Sequence, residues 1–158
     1  MVGELTIGPA PHLGTAVSAR VRVPAGSWPA AVRAAGRGLV ETGAAEGRYV
    51  ERCVAQVEAD GPYIVVAPGI ALAHARPEDG AAGLGVSVAV LDRPVAFGHA
   101  VNDPVDVVFA FCSPDRDSHV GLLSALARQL TAGLAERLRV APDDGRATEL
   151  LQEAIGHG

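Results

Sequence analysis

The chain opens its readable pattern at AVSARVRV, where apolar and polar residues alternate from Ala16 to Val23. Side chains on a strand point to opposite faces in turn, so this run predicts a strand with Val17, Ala19, Val21 and Val23 on one face. The period then changes. Trp28, Val32, Ala35 and Leu39 recur at helical spacing, with Ser27 placed to cap them, Pro29 tolerated in the first turn and Gly43 as a stop. A second helix is predicted to face inward through Tyr49, Val50, Cys53, Val54 and Val57 and to end at Gly61.

The middle of the chain is strand-like. Tyr63–Val66, Leu84–Leu91 and Val105–Cys112 are apolar and β-branched, bounded by Gly, Pro and Asp. Between the first two lies APGIALAHARPEDG, in which Gly69 to Ala75 forms a small apolar segment with His74 where a buried strand should finish. Helical spacing then returns. Ser118 is a candidate cap for a helix with Leu122, Leu123, Leu126, Leu130 and Leu134 facing in. A short helix over Leu134–Val140 follows Gly133, and Asp144–Ile155 predicts a last helix on Ala147, Leu150, Leu151 and Ile155. Strand, two helices, several strands and then helices describe one sheet covered by helices, an α/β sandwich rather than tandem domains. Residues 1–15 read as an irregular lead-in and 16–156 as a single domain.

Composition narrows the chemistry. A chain of 158 residues with 49% hydrophobic and 20% charged residues reads as globular. The net charge of −5 argues against nucleic acid, whose phosphates require a basic face. All 13 basic residues are arginine, which excludes Schiff-base lysines and a lysine-bearing phosphate loop. Two cysteines, Cys53 and Cys112, form no CxxC pair, which suits a reduced cytoplasmic protein. The start of the chain does not read as a signal peptide, and no apolar run approaches the roughly 20 residues of a membrane span.

Five histidines remain as candidates, at 12, 74, 99, 119 and 157. His12 and His157 fall in the expected irregular ends. His74 and His119 each fall at the edge of a regular element. A neutral imidazole is a good nucleophile near pH 7 and can carry a phosphoryl group on nitrogen, while a second imidazole can donate to the phosphoryl oxygens. On residue type alone, an ordinary structural role is the better reading of both His74 and His119, and composition and spacing do not displace it.

The segment GPYIVVAPGIALAHARPEDG (Gly61–Gly80) resembles the active-site segment of enzyme IIA of the bacterial sugar phosphotransferase system (PTS). The likeness is to the mannitol–fructose superfamily and, within it, to the ascorbate-type branch. FGHAVNDPVDVVFAF (Phe97–Phe111) resembles that branch's FGN-x-x-NDPV strand entry. DSHVGLLSALARQL (Asp117–Leu130) resembles the segment whose histidine lies beside the phosphorylated one. With RYVE at Arg48–Glu51, the resemblance spans roughly Ser27 to Ile155.

The resemblance implies a three-layer α/β/α sandwich with a mixed central sheet, working in the cytoplasm without a cofactor. It implies that His74 accepts a phosphoryl group from phospho-HPr and passes it to a cysteine of an enzyme IIB. His119 becomes the stabiliser of that group. The IIB belongs with a membrane sugar permease complex, with which the protein would associate without inserting.

Two departures stand out: Ala73 where proline usually precedes the active histidine, and His99 where the branch has asparagine. His99 is either a third imidazole near the site or a loop residue. Arg76 suits a phosphate or partner contact, and equally an ion pair with Glu78 or Asp79. Asp115 and Asp117 are expected to face solvent or cap a helix. Cys112 lacks the phosphate loop of a IIB cysteine and reads as a buried strand end. Outside the carrier role stand two other readings. One is a regulatory domain in which phosphorylation of His74 is a signal without onward transfer. The other is a metal hydrolase on His74, His99 and His119, for which no clustered ligand motif exists.

Overall fold

The computed structural model of the chain describes residues 14–155; His12 and His157 lie outside them. Strand β1 (Thr15–Val23) leads into α1 (Trp28–Glu41) and α2 (Gly47–Asp60). Strands β2 (Val65–Ala67) and β3 (Ile70–Ala73) follow, then a single 3-10 turn at Pro77–Asp79. Strands β4 (Leu84–Val95) and β5 (Val105–Cys112) precede α3 (Arg116–Thr131), α4 (Leu134–Arg139) and α5 (Asp144–Ile155). The five strands form one sheet in the order β1-β4-β5-β3-β2. Pairing is parallel for β1/β4 and β3/β5 and antiparallel for β4/β5 and β2/β3, so the sheet is mixed.

Alternation along the central strands divides the core in two. Val107, Phe109 and Phe111 of β5 and Ile70 and Leu72 of β3 pack with Leu122, Leu126, Leu138 and Leu151, beneath α3, α4 and α5. Val108, Ala110, Cys112, Ala71 and Ala73 point the other way, against Val32, Leu39, Tyr49 and Cys53 of α1 and α2. Helices therefore cover both faces of the sheet. The α1 side is built on small residues, and α1 itself carries Gly36 and Gly38. A Cβ on Gly38 would lie 2.1 Å from Ser87 Oγ, and one on Gly36 would lie 2.7 Å from Val50 Cγ1. Close approach of the helix backbone to the sheet at Gly38 and to α2 at Gly36 thus offsets the roughly 1 kcal/mol that a glycine costs inside a helix.

Several boundaries differ from the sequence reading, each for a local reason. Val23 does not share a face with Val17, Ala19 and Val21. The pairing register with β4 shifts between Arg20 and Val23, where Arg22 has φ 54°, and this bulge turns Val23 to the α1 side. The strand expected at Tyr63–Val66 begins only at Val65, because turn bonds to the Gly61 and Pro62 carbonyls occupy Tyr63 and Val65. Gly69, at φ 77°, closes the turn between β2 and β3. Strand β4 continues past Leu91 to Val95. Helix α3 begins at Arg116 rather than after Ser118. Asp115 is its cap, and its carboxylate accepts the Ser118 N–H at 2.8 Å. Helix α4 stops at Arg139, one residue short of the expected Val140, whereas α5 has the expected bounds.

Candidate functional site

Parity places His74. Ile70 and Leu72 face the α3 side, so the next residue on that face is His74, one position beyond the end of β3. Parallel pairing aligns Leu72 with Phe109 and Ala73 with Ala110, which brings His74 beside Phe111. The two rings stack at a centroid separation of 5.0 Å and an interplanar angle of 28°. His119, in the first turn of α3, packs on the same Phe111 ring at 5.1 Å. The two imidazoles, 45 positions apart in the chain, thereby stand 5.5 Å apart at 62°. Tyr63 meets His74 edge-on at 6.3 Å. A fully buried phenylalanine is the platform that pairs the two histidines.

The ring of His74 is oriented by its own strand. Its Nδ1 lies 3.1 Å from the Leu72 carbonyl oxygen. That oxygen can only accept, so Nδ1 carries the proton, and in the neutral ring Nε2 holds the lone pair. Burial pushes the pKa of His74 below the ordinary imidazole value. The Leu72 hydrogen bond opposes that shift and the nearby His119 adds to it. The ring is therefore neutral near pH 7.

A cleft of about 280 Å³ opens over the pair, lined by Gln56, His74, Ala75, Arg76, Pro77, Arg116 and His119. Two arginines and two imidazoles border it, and no carboxylate does. An anion fits such a lining, and the positive end of α3 adds to the field. Within this lining, Gln56 Oε1 and His119 Nδ1 are buried without a hydrogen-bond partner. Arg76 is exposed: it makes the expected ion pairs, its Nε lying 3.6 Å from Asp79 and 3.9 Å from Glu78, and it also lines the cleft. Asp79 also accepts the Arg76 backbone N–H at 3.1 Å and faces Arg52 at 3.7 Å.

His99 lies elsewhere. It belongs to the turn after β4, where its Nδ1 accepts the N–H groups of Val101 and Asn102 at 3.1 and 3.0 Å. In the same turn the Asp103 carboxylate gathers the N–H groups of Phe97, Gly98 and His99. His99 does not line the cleft. Asp115 caps α3 and Asp117 is exposed in its first turn; neither borders the cleft. Cys112 is fully buried at the end of β5, and burial pushes its thiol up to about 12. Ala73 is buried on the α2 side in register with Ala110. Among the described residues no group of three or more His, Cys, Asp and Glu could hold a metal ion. No helix among them is long and apolar enough to cross a membrane.

Sequence reasoning missed Gln56 and Arg116. Gln56 lies seven positions after Tyr49 on α2, at the margin of that helix's inward face, and a polar residue there was the available signal. Arg116 was hidden by placing the helix start at Ser118.

Parallel strands that end in a cleft, with a neutral histidine over an aromatic platform and cationic walls, make a site suited to an anionic group. Residues 16–154 match the family model described as phosphoenolpyruvate-dependent sugar phosphotransferase system, EIIA 2. The chain belongs to that family, and it is a phosphocarrier component of a sugar phosphotransferase system. An ascorbate-specific PTS system EIIA component of Salmonella choleraesuis (strain SC-B67) is 38% identical over 108 residues, 67% of this chain and 70% of that protein. The solution structure of the mannitol-specific cryptic phosphotransferase enzyme IIA from Escherichia coli superposes with a TM-score of 0.71 at 26% identity. It covers 93% of this chain and 94% of its own. The same fold recurs, at 23% identity and a TM-score of 0.72, in the complex of enzyme IIAMTL with phosphorylated enzyme IIBMTL from Escherichia coli. There 86% of this chain and 94% of that one are covered.

Proposed function

We propose that His74 accepts a phosphoryl group on Nε2 from phospho-HPr and delivers it to a cysteine of an enzyme IIB. The observation that carries this reading is the Leu72 hydrogen bond, which leaves Nε2 as the lone-pair nitrogen of a neutral ring at the cleft. In the first step the Nε2–P bond forms as the donor's N–P bond breaks, and the donor imidazole leaves with the electron pair. No proton has to leave His74, because Nδ1 keeps its own against Leu72. In the second step a cysteine thiolate attacks phosphorus, and His74 departs as the neutral imidazole from which it started. A neutral imidazole is a far better leaving group than its anion, so the Nδ1 proton serves both directions.

His119 supports the acceptor without becoming one. Its buried Nδ1 lacks a partner, which leaves hydrogen-bonding capacity for a phosphoryl oxygen. Arg76 and Arg116 add positive charge, and Arg76 exchanges its Asp79 and Glu78 contacts for the phosphoryl group or the partner. His99 serves its own turn. Residues 16–156 act as one unit of this kind in the cytoplasm, beside a membrane permease complex whose IIB receives the group. The solved complex of a structurally similar IIA with its phosphorylated IIB supports that assembly.

Incubation with phosphoenolpyruvate, enzyme I and HPr tests the acceptor. The wild type should gain one acid-labile phosphoryl group and His74→Ala none; label that survives in His74→Ala overturns the assignment. Discharge onto an enzyme IIB then separates a transport carrier from a regulatory domain that holds its phosphoryl group as a signal.

A further inference from the structure

The ladder that holds β3 to β5 ends at the Ala73–Ala110 pair, so the sheet does not itself fix His74 and Ala75. A side chain takes over. Tyr49 of α2 is 0% exposed, and its hydroxyl oxygen accepts the Ala75 N–H at 3.0 Å. The same hydroxyl has one proton to give. The Phe111 carbonyl, at 2.8 Å, is the nearer acceptor, with the Ala75 carbonyl at 3.1 Å. Burial raises the phenol's pKa far above its usual value, so this proton is present at every pH the protein meets. One oxygen thus joins the peptide that follows His74 to the backbone of the residue whose ring carries both imidazoles.

We infer that Tyr49 is a positioning residue for phosphoryl transfer: its hydroxyl stands in for the missing sheet pairing and fixes His74 on the Phe111 ring at the cleft. This rests on the reading of His74 as the acceptor. The same tether sets the height of α2 against the strand ends, which is what delivers Gln56 to the cleft two turns further along. Nothing about the role requires Tyr49 to touch the phosphoryl group, and it is not among the residues that line the cleft.

The test is Tyr49→Phe in the full chain, which keeps the ring and removes only the bridge. Phosphorylation should still stop at one group, at a rate roughly tenfold to a hundredfold lower, with the KM for phospho-HPr nearly unchanged. Nitrogen NMR of His74 should change from a single Nδ1–H tautomer to a mixture, which loss of stability alone would not produce. A folded variant with wild-type rate and wild-type tautomer overturns the inference. If Tyr49→Phe does not fold, 4-aminophenylalanine placed at position 49 keeps a donor toward the Phe111 carbonyl but is a poor acceptor for the Ala75 N–H, and His74 nitrogen shifts identical to wild type overturn the inference equally. The tautomer readout needs no phosphoryl donor. A wild type that takes up no phosphoryl group would therefore count against the proposed function, while the spectra would still decide whether Tyr49 positions His74.

Discussion

The Leu72 carbonyl and the His74 imidazole belong to the same strand end, two residues apart, and the 3.1 Å contact between them settles which ring nitrogen carries the proton. A backbone atom rather than an acidic side chain does this work. The ring is oriented without a carboxylate beside it, and the cleft keeps the positive character that an incoming phosphoryl group requires.

Proton titration follows directly. Burial lowers the pKa of His74 in the folded chain, so its NMR midpoint should lie below the ordinary 6.5. Phosphoryl acceptance should persist to lower pH than a free imidazole would allow. The unfolded chain takes up this proton first, so the ring's contribution to stability is complete above about 6.5 and is lost as pH falls through the folded midpoint. Urea unfolding between pH 5 and 8 should show His74→Gln with a shallower acid loss than wild type. A His74 midpoint at or above 6.5 would contradict the burial.

His119→Ala should still yield a phosphorylated protein. Removal of one hydrogen-bond partner of a charged group costs about 1.5–3 kcal/mol, so acceptance and transfer should slow roughly tenfold to a hundredfold. His119→Gln, which retains an amide donor, should recover part of the rate. A folded His119→Ala protein that takes up no label would show that this ring is more than a stabiliser.

Gln56 should trade stability against rate. Its Oε1 is buried without a partner, and such an atom costs about 1–3 kcal/mol. Gln56→Leu should therefore raise the unfolding free energy by about 1 kcal/mol and slow phosphoryl acceptance several-fold. Loss of stability in calorimetry would mean that the amide is satisfied after all.

The cap of α3 should be separable from chemistry. Asp115→Ala removes the acceptor of the Ser118 N–H and should cost about 1 kcal/mol, visible as a lower Tm, whereas Asp115→Asn should retain most of it. Because Asp115 does not border the cleft, the single-site stoichiometry of phosphorylation should not change in either variant.

Much of this architecture is legible in one dimension because burial imposes a period. Val107, Phe109 and Phe111 alternate with Val108, Ala110 and Cys112, and the inward face of α2 was read from Tyr49, Val50, Cys53, Val54 and Val57. What resists reading depends on geometry without composition. Arg22 carries no signal for a bulge, since nothing in its side chain asks for a positive φ. Asp115 and Ser118 are both good caps, and only the folded chain chooses between them. The histidines could be paired in advance by resemblance alone. In the structure their meeting depends on Phe111, a residue that reads as ordinary core. The Tyr49 hydroxyl was likewise invisible, because Tyr49 fits an apolar helix face by its ring.

The alternation that sends His74 toward α3 also makes the site intolerant of changes in length. Deleting or inserting one residue between Ile70 and His74 would exchange the two faces of β3. The imidazole would then meet Tyr49 and the alanine layer under α2, with Phe111 left bare. The turn at Pro68 and Gly69 precedes that stretch, and added residues there leave the strand's phase intact. Indels on the two sides of Ile70 therefore have opposite fates. A library of single-residue insertions, scored by phosphorylation, would display that boundary as a step.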